Sequence, residues 1–257
     1  MNHGLAPPAT FGRASTNRLT HHDLGRFDGP SLFDALGRAV CQAGCLPRKE
    51  LFEAWEMARR VRRRFRGGRV VDLAGGHGLL AQALLLLDDS SPSALVVDPA
   101  LPPSAATLHA SLVAAWPRLR DRVAFVGADL ETVTLDAGDL IVSCHACGEL
   151  TDRVLALAMR AAARVAVLPC CHGRDPQRTR VARQYLANRL NAGSLFAPAS
   201  PLLEGWMDAA LAVDVERAQR LERAGYDVWT QRIPPDITPK NRLLVGAPRL
   251  RSAPQAP

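Results

Sequence analysis

The sequence predicts an α/β fold: a seven-stranded sheet of five parallel strands plus a closing antiparallel hairpin, with an N-terminal helical extension. Three observations carry this. From residue 69 onward, short apolar runs alternate with helix-length stretches, the pattern of a mostly parallel sheet covered by helices on both faces. The first of these runs ends on a carboxylate and enters a glycine-rich turn that opens a helix. The last two runs are joined only by Pro234 to Lys240, too short for a crossover helix, so they must be antiparallel.

The elements follow in order. Residues 1–28 are rich in Pro, His, Gly and Thr, lack a sustained period, and predict a flexible arm. Within an extension over 29–66, Ser31 to Cys45 and Pro47 to Arg66 predict two helices. Leu51, Trp55, Ala58, Val61 and Phe65 recur at helical spacing and should form the buried stripe of the second. Its other positions carry Arg59, Arg60, Arg62, Arg63, Arg64 and Arg66, and Gly67-Gly68 stops it. Strands are then expected at Arg69–Leu73, Ala94–Val97, Arg122–Val126, Leu140–Ser143 and Arg164–Leu168. Helices are expected at Leu79–Leu87, Ala105–Trp116, Thr151–Ala162 (with Thr151 as its N-cap), Asp175–Asn191 and Pro201–Ala224. Tyr226–Ile233 and Asn241–Gly246 are the hairpin, and 249–257 is a C-terminal tail.

Composition narrows the class. With 257 residues, 47% hydrophobic and 22% charged, the chain can bury a sizeable core. The longest aliphatic run, Leu79 to Leu87, is far short of the ~20 residues of a spanning helix, so no membrane role is expected. The N-terminus has no apolar signal region, and the six cysteines (Cys41/Cys45, Cys144/Cys147, Cys170/Cys171) are expected as thiols in a cytoplasmic protein. The net charge is +7; Lys49 and Lys240 are the only lysines, so 30 of the 32 basic residues are arginine. That bias fits a polyanionic partner, and it equally fits a GC-rich genome. The arginines of residues 59–69 can mark an RNA footprint or a solvated face paired with Glu50, Glu53 and Glu56. Arg174, Arg178, Arg180 and Arg183 follow the last cysteine pair and would border a substrate mouth.

Two segments carry chemistry. In Val70-Val71-Asp72-Leu73-Ala74-Gly75-Gly76-His77-Gly78 the glycines let a ligand approach the backbone. Gly76-x-Gly78-x-x-Ala81 would also pass as a dinucleotide fingerprint. Asp72 favours a cationic amino-acid moiety there, since a pyrophosphate would be repelled. Asp98, ending the second strand, can take both ribose hydroxyls, and Gly127-Ala128-Asp129 after the third strand resembles the motif whose acid meets an adenine amino group. The other segment is Ser143-Cys144-His145-Ala146-Cys147-Gly148-Glu149-Leu150-Thr151-Asp152, with Pro169-Cys170-Cys171-His172 after the neighbouring strand.

The first segment resembles motif I of class I S-adenosylmethionine (SAM) methyltransferases, D-x-G-x-G-x-G, with Ala74 in place of the first glycine. The strand pattern is also theirs, so the resemblance implies a Rossmann-like methyltransferase domain over 67–248 with SAM as cofactor. Asp72, Ala74, Gly75, Gly76, Gly78, Asp98, Asp129 and Ser143 are the cofactor-binding residues it implies. The second segment resembles a branch with H-x-C-G-x-x-[ST]-D and C-C-H signatures, which includes eukaryotic tRNA 2′-O-ribose methyltransferases and the methyltransferase-like 25 group. The matching positions are His145, Cys147, Gly148, Thr151 and Asp152, then Cys170, Cys171 and His172. On this resemblance His145, Cys147, Asp152, Cys171 and His172 are the candidate catalytic residues, and RNA, tRNA in particular, is the expected substrate.

Three chemistries remain open: methyl transfer to O or N with a histidine base, thiolate attack on a pyrimidine, and a zinc site at Cys144-x-x-Cys147. Adjacent Cys170 and Cys171 seldom point at one ion, so no metal is expected. The absence of [Asn/Asp]-Pro-Pro-[Tyr/Phe] after the fourth strand argues against exocyclic-amine methylation, and the two lysines cannot supply a Lys-Asp-Lys-Glu tetrad. Small-molecule or protein methylation, an NAD-dependent oxidoreductase and a non-catalytic RNA-binding protein are the alternatives. Oligomeric state is not set by these features.

Overall fold

Residues 11–169 and 209–249 are described by the computed structural model. Seven strands form one sheet in the order β3-β2-β1-β4-β5-β7-β6. These are β1 (Val70–Leu73), β2 (Ala94–Val97), β3 (Val123–Val126), β4 (Leu140–Ser143), β5 (Arg164–Val167), β6 (Tyr226–Arg232) and β7 (Arg242–Pro248). The first five are parallel, and β7 inserts antiparallel between β5 and β6. The chain order reverses on either side of β1 and β4, which opens a crevice at their C-terminal ends.

Among the described residues six α-helices accompany the sheet: α1 (Leu32–Ala43), α2 (Arg48–Arg64), α3 (Leu79–Leu87), α4 (Ser104–Ala115), α5 (Glu149–Ala161) and, from the second described stretch, α6 (Ala209–Arg223). Alternate residues of the strands serve opposite faces. Val70, Val96, Leu140 and Val142 join the core under α1 to α4, whereas Val71, Val97, Ile141 and Val165 join the core with Val154, Leu155 and Ala158 of α5. With both faces buried, β1 and β4 are apolar nearly throughout, and Asp72 is the one acid within them.

The helical extension is part of this core. Leu51, Ala58 and Val61 of α2 are fully buried, as the helical spacing predicts, and Trp55 is half-buried. Residues 11–28 depart from the expectation of a flexible arm. Leu19 and Phe27 are buried, Phe11 packs edge-on against Phe27 and Phe52, and Arg18 bridges to Pro47. A segment with few apolar residues still docks when each of them finds a ready-made pocket, which composition alone does not reveal.

Two element boundaries also shift. α5 begins at Glu149 behind Gly148, so Thr151 is not its N-cap; the Thr151 hydroxyl instead donates to the Ala146 carbonyl. Of the helix expected over Pro201–Ala224, the described part is Ala209–Arg223, and the helix expected at Asp175–Asn191 lies outside the described residues.

The arginines of residues 59–69 are taken up within the protein, except Arg63, which is exposed. Arg59 and Arg60 pair with Glu56, and Arg64 stacks over Trp229. Arg62 is buried; it donates to the Leu84 carbonyl at 3.1 Å and Ser91 Oγ at 2.8 Å, and pairs with Asp88 at 3.1 Å. Arg66 reaches the Leu87 carbonyl, and Arg69 pairs with Asp139. The row is a set of internal ties between α2, α3 and the sheet.

Candidate functional site

The crevice at the sheet switch holds a cleft of about 330 Å³ lined by Glu50, Asp72, Gly76, His77, Asp98 and His145, among others. It is built mainly from the turn between β1 and α3, the end of β2, the loop after β4, and the first turns of α2.

In the β1–α3 turn, Ala74 sits at φ 55°, Gly76 at 50° and Gly78 at 71°. At Gly78 a Cβ would stand 2.8 Å from Phe125 and from Val96, so space and backbone both demand glycine. At Gly76 a Cβ would meet nothing within 4 Å, so that glycine faces open space at the cleft. Ala74 holds a left-handed conformation that disfavours a side chain, an uncommon substitution that the turn tolerates.

Asp72 is 1% exposed. Its Oδ2 accepts from the Ala81 amide at 3.3 Å, while its buried Oδ1 has no hydrogen-bond partner. Burial raises its pKa to about 7, with the neighbouring charge of Asp98 adding to the rise and the Ala81 amide opposing it. Asp98, at the end of β2, accepts from the Gly76 amide at 3.1 Å and the Ala100 amide at 2.9 Å, which fixes its carboxylate at the rim. The donor set fits SAM: an orphaned buried carboxylate oxygen for an ammonium, a glycine that leaves room, and a half-buried carboxylate for vicinal hydroxyls. Ser143, at the end of β4, is buried with an unpartnered hydroxyl and is not among the residues lining the cleft.

Asp129 is placed differently. It caps the short 3-10 turn Leu130–Thr132, its Oδ1 accepting from the Glu131 amide at 2.9 Å and from Arg153 at 2.7 Å. It stands at the surface and is not among the residues lining the cleft. A carboxylate that follows a strand can serve a ligand or cap the next turn, and here the cap is the role the geometry displays.

The loop after β4 brings His145 and Cys144 to the cleft, and leaves Cys147 exposed. Its shape is held from behind. Gly148 adopts φ 59°, ψ −124°, a region open in practice only to glycine. Arg217 of α6, fully buried, donates to the Gly148 carbonyl at 2.8 Å and to both oxygens of Asp152, at 3.2 and 2.9 Å; Arg220 adds a bond to Asp152 at 2.8 Å. Asp152, expected as catalytic, is therefore a clamp for the loop that presents His145. Cys170, Cys171 and His172 lie outside the described residues. Among the described residues no group of three metal-ligating side chains converges.

Three lining or supporting residues were absent from the sequence candidates. His77 sits inside the glycine turn, its Nδ1 2.9 Å from Ser104 Oγ, and burial lowers its pKa. Glu50 and Glu53 project from the start of α2; Glu53 is 2% exposed and its Oε2 lies 3.8 Å from His145 Nε2. The sequence signal for His77 was its position in motif I, and for the glutamates their separation of three residues on one helix face.

Residues 50–174 match a family model described as "Methyltransferase domain". The chain is 34% identical over 128 residues to a glutathione S-transferase C-terminal domain-containing protein homolog of Drosophila pseudoobscura pseudoobscura, covering 42% of this chain and 22% of that protein. It is 26% identical over 202 residues to the human glutathione S-transferase C-terminal domain-containing protein, covering 71% of this chain and 30% of the relative. The chain thus spans between about a fifth and a third of the length of these relatives. Among solved structures it is similar to an O-methyltransferase family protein from Burkholderia thailandensis, with a TM-score of 0.45, 17% identity, and coverage of 90% of this chain and 68% of that one. Residues 50–174 thus match a methyltransferase domain, and the seven-stranded Rossmann-like sheet and the polar groups at its switch agree with S-adenosylmethionine as its cofactor.

Proposed function

We propose that the chain transfers the methyl group of SAM to an oxygen or nitrogen nucleophile of an anionic substrate, RNA and tRNA in particular, with His145 as the proton acceptor. The observation that carries this is the placement of the His145 imidazole on the cleft shared with Asp72, Gly76 and Asp98.

When bound, SAM supplies an electrophilic methyl group on its sulfonium. Asp72 would accept from its ammonium and Asp98 from its ribose hydroxyls, so these residues would contribute by positioning the cofactor. His145, half-exposed at the cleft, is free to reach an incoming O–H or N–H and take its proton. His77 and, from α2, Glu50 and Ala54 line the same cleft.

RNA is supported by the net charge of +7 and by Arg174, Arg178, Arg180 and Arg183, which follow His172 in sequence. The arginines of α2 contribute little, being engaged internally. Glu50 and Glu53 make the inner cleft acidic, so a phosphate would remain outside while a neutral sugar or base atom enters. Labelled SAM incubated with fractionated RNA, protein and metabolites from cells lacking the chain tests this. The expected result is nuclease-sensitive label in RNA, with binding that weakens steeply as salt rises. Label confined to metabolites or protein would overturn RNA as substrate.

The state of Asp72 gives a pH dependence. Its carboxyl rises from 3.8 to about 7 in the free protein, so between those values the folded chain holds a proton that the unfolded chain has released. The free protein therefore loses stability as pH rises through that window. An ammonium needs the ionised form, so SAM binding should release a proton at pH 6. Apparent affinity should fall about tenfold per unit below pH 7. Calorimetry in buffers of different ionisation enthalpy measures the proton count; a count of zero at pH 6 would contradict the role of Asp72.

A further inference from the structure

We infer that Glu53, on the helix that precedes the sheet, is a positioning residue that orients His145 for proton transfer. This rests on the reading of His145 as proton acceptor and adds the residue that sets its geometry.

Glu53 does not behave as a structural ion-pair partner of the arginine row. Glu56 takes Arg59 and Arg60, whereas Glu53 turns inward and is 2% exposed. Its Oε1 pairs with Lys49 at 3.2 Å, one helical turn back. Its Oε2 is buried, without a hydrogen-bond partner, and aimed at His145 Nε2 3.8 Å away. A buried carboxylate oxygen with no donor costs stability. The fold thus holds an acceptor that small movements of the β4 loop would bring into contact with the imidazole. A carboxylate bonded to one ring nitrogen fixes the ring plane and the tautomer, and stabilises the imidazolium formed when the other nitrogen takes a proton. In this arrangement Nε2 bears the hydrogen shared with Glu53, Nδ1 faces the acceptor, and the proton leaves the acceptor for Nδ1. Lys49 holds Oε1 of Glu53 on the other side, which leaves Oε2 turned to His145.

The location also explains why α2 cannot be a detachable extension: Glu50 and Ala54 line the cleft and Glu53 supports the residue between them and the cofactor turn.

The test is a double-mutant cycle with Glu53→Gln and His145→Ala in the full chain. Glu53→Gln is expected to lower kcat about tenfold or more with KM and S-adenosylhomocysteine affinity within twofold of wild type. Its thermal midpoint should stay at or above wild type, because an underbonded buried carboxylate is replaced by a neutral amide. In the His145→Ala background the same substitution should have no further effect on kcat. A lowered thermal midpoint with unchanged kcat would make Glu53 structural and overturn the inference. Equal fractional losses in both backgrounds would do the same. If His145→Ala alone left kcat unchanged, the proton-acceptor reading would fall first and this inference with it; a silent Glu53→Gln beside an impaired His145→Ala removes only the pairing.

Discussion

Changing His145 to Ala is expected to lower kcat about 100- to 10,000-fold, the range spanned by losing a general base, while SAM affinity stays near the wild-type value. The split follows from position. His145 stands on the cleft wall contributed by the β4 loop, whereas the Asp72 carboxylate of β1 and Gly76 of the following turn are fixed by their own contacts to Ala81 and Asp98. Removing the imidazole leaves those contacts untouched and deprives the nucleophile of its proton acceptor. His145→Gln, which keeps size and polarity but cannot take the proton, should be nearly as slow. Single-turnover rates beside SAM titrations of each variant check this. A variant with normal chemistry, or one that loses cofactor affinity in proportion to rate, would place His145 outside the reaction.

The largest expected effect on stability is at Asp88. It is buried against Arg62, which is itself 3% exposed, and it also accepts from the Gly67 amide at 2.8 Å and from Ser90 Oγ at 2.7 Å. Asp88→Ala strands the Arg62 charge among α2, α3 and the sheet and leaves the Gly67 amide unpaired, a loss of about 3–5 kcal/mol. Exchanging both partners, Arg62→Met with Asp88→Ala, should recover much of that loss, because neither charge is then buried alone. Denaturant unfolding midpoints of the two single variants and the double variant measure the coupling. A cost at Asp88 below 1 kcal/mol would mean that Arg62 is better hydrated than its burial indicates.

Most of the fold was legible because its signals are local. β2, β4 and α3 span the expected residues, and the seven-residue connection from Pro234 forced the hairpin. The glycine turn was legible as well, since positive φ and close approach leave a compositional mark at Gly76 and Gly78. What escaped the sequence are partnerships chosen by tertiary packing. Asp152 looked catalytic beside His145 and Cys147, and the residue that claims it, Arg217, is 65 positions away on another helix. Glu53 looked like one more partner for the arginine row, because along a helix the nearest cation is always a plausible mate. Only the fold of α2 against the β4 loop turns it to His145 instead. Likewise Asp129 carries the same residue type in the same register whether it meets an adenine or caps a turn, and Arg153 with the Glu131 amide shows which it does.

The account stands on SAM occupying the turn between β1 and α3, so the measurement that tests it most directly is a calorimetric titration of SAM into the full chain and into Asp98→Ala. Asp98 fixes the Gly76 amide through Oδ2 and would accept the ribose hydroxyls. At ~1.5–3 kcal/mol for each hydrogen bond to a charged group, its loss should weaken binding about 100-fold or more. The predicted result is one saturable SAM site per chain, with binding lost or weakened to that extent in the variant. An affinity for SAM unchanged by Asp98→Ala, or a chain that binds NAD and not SAM, would contradict it.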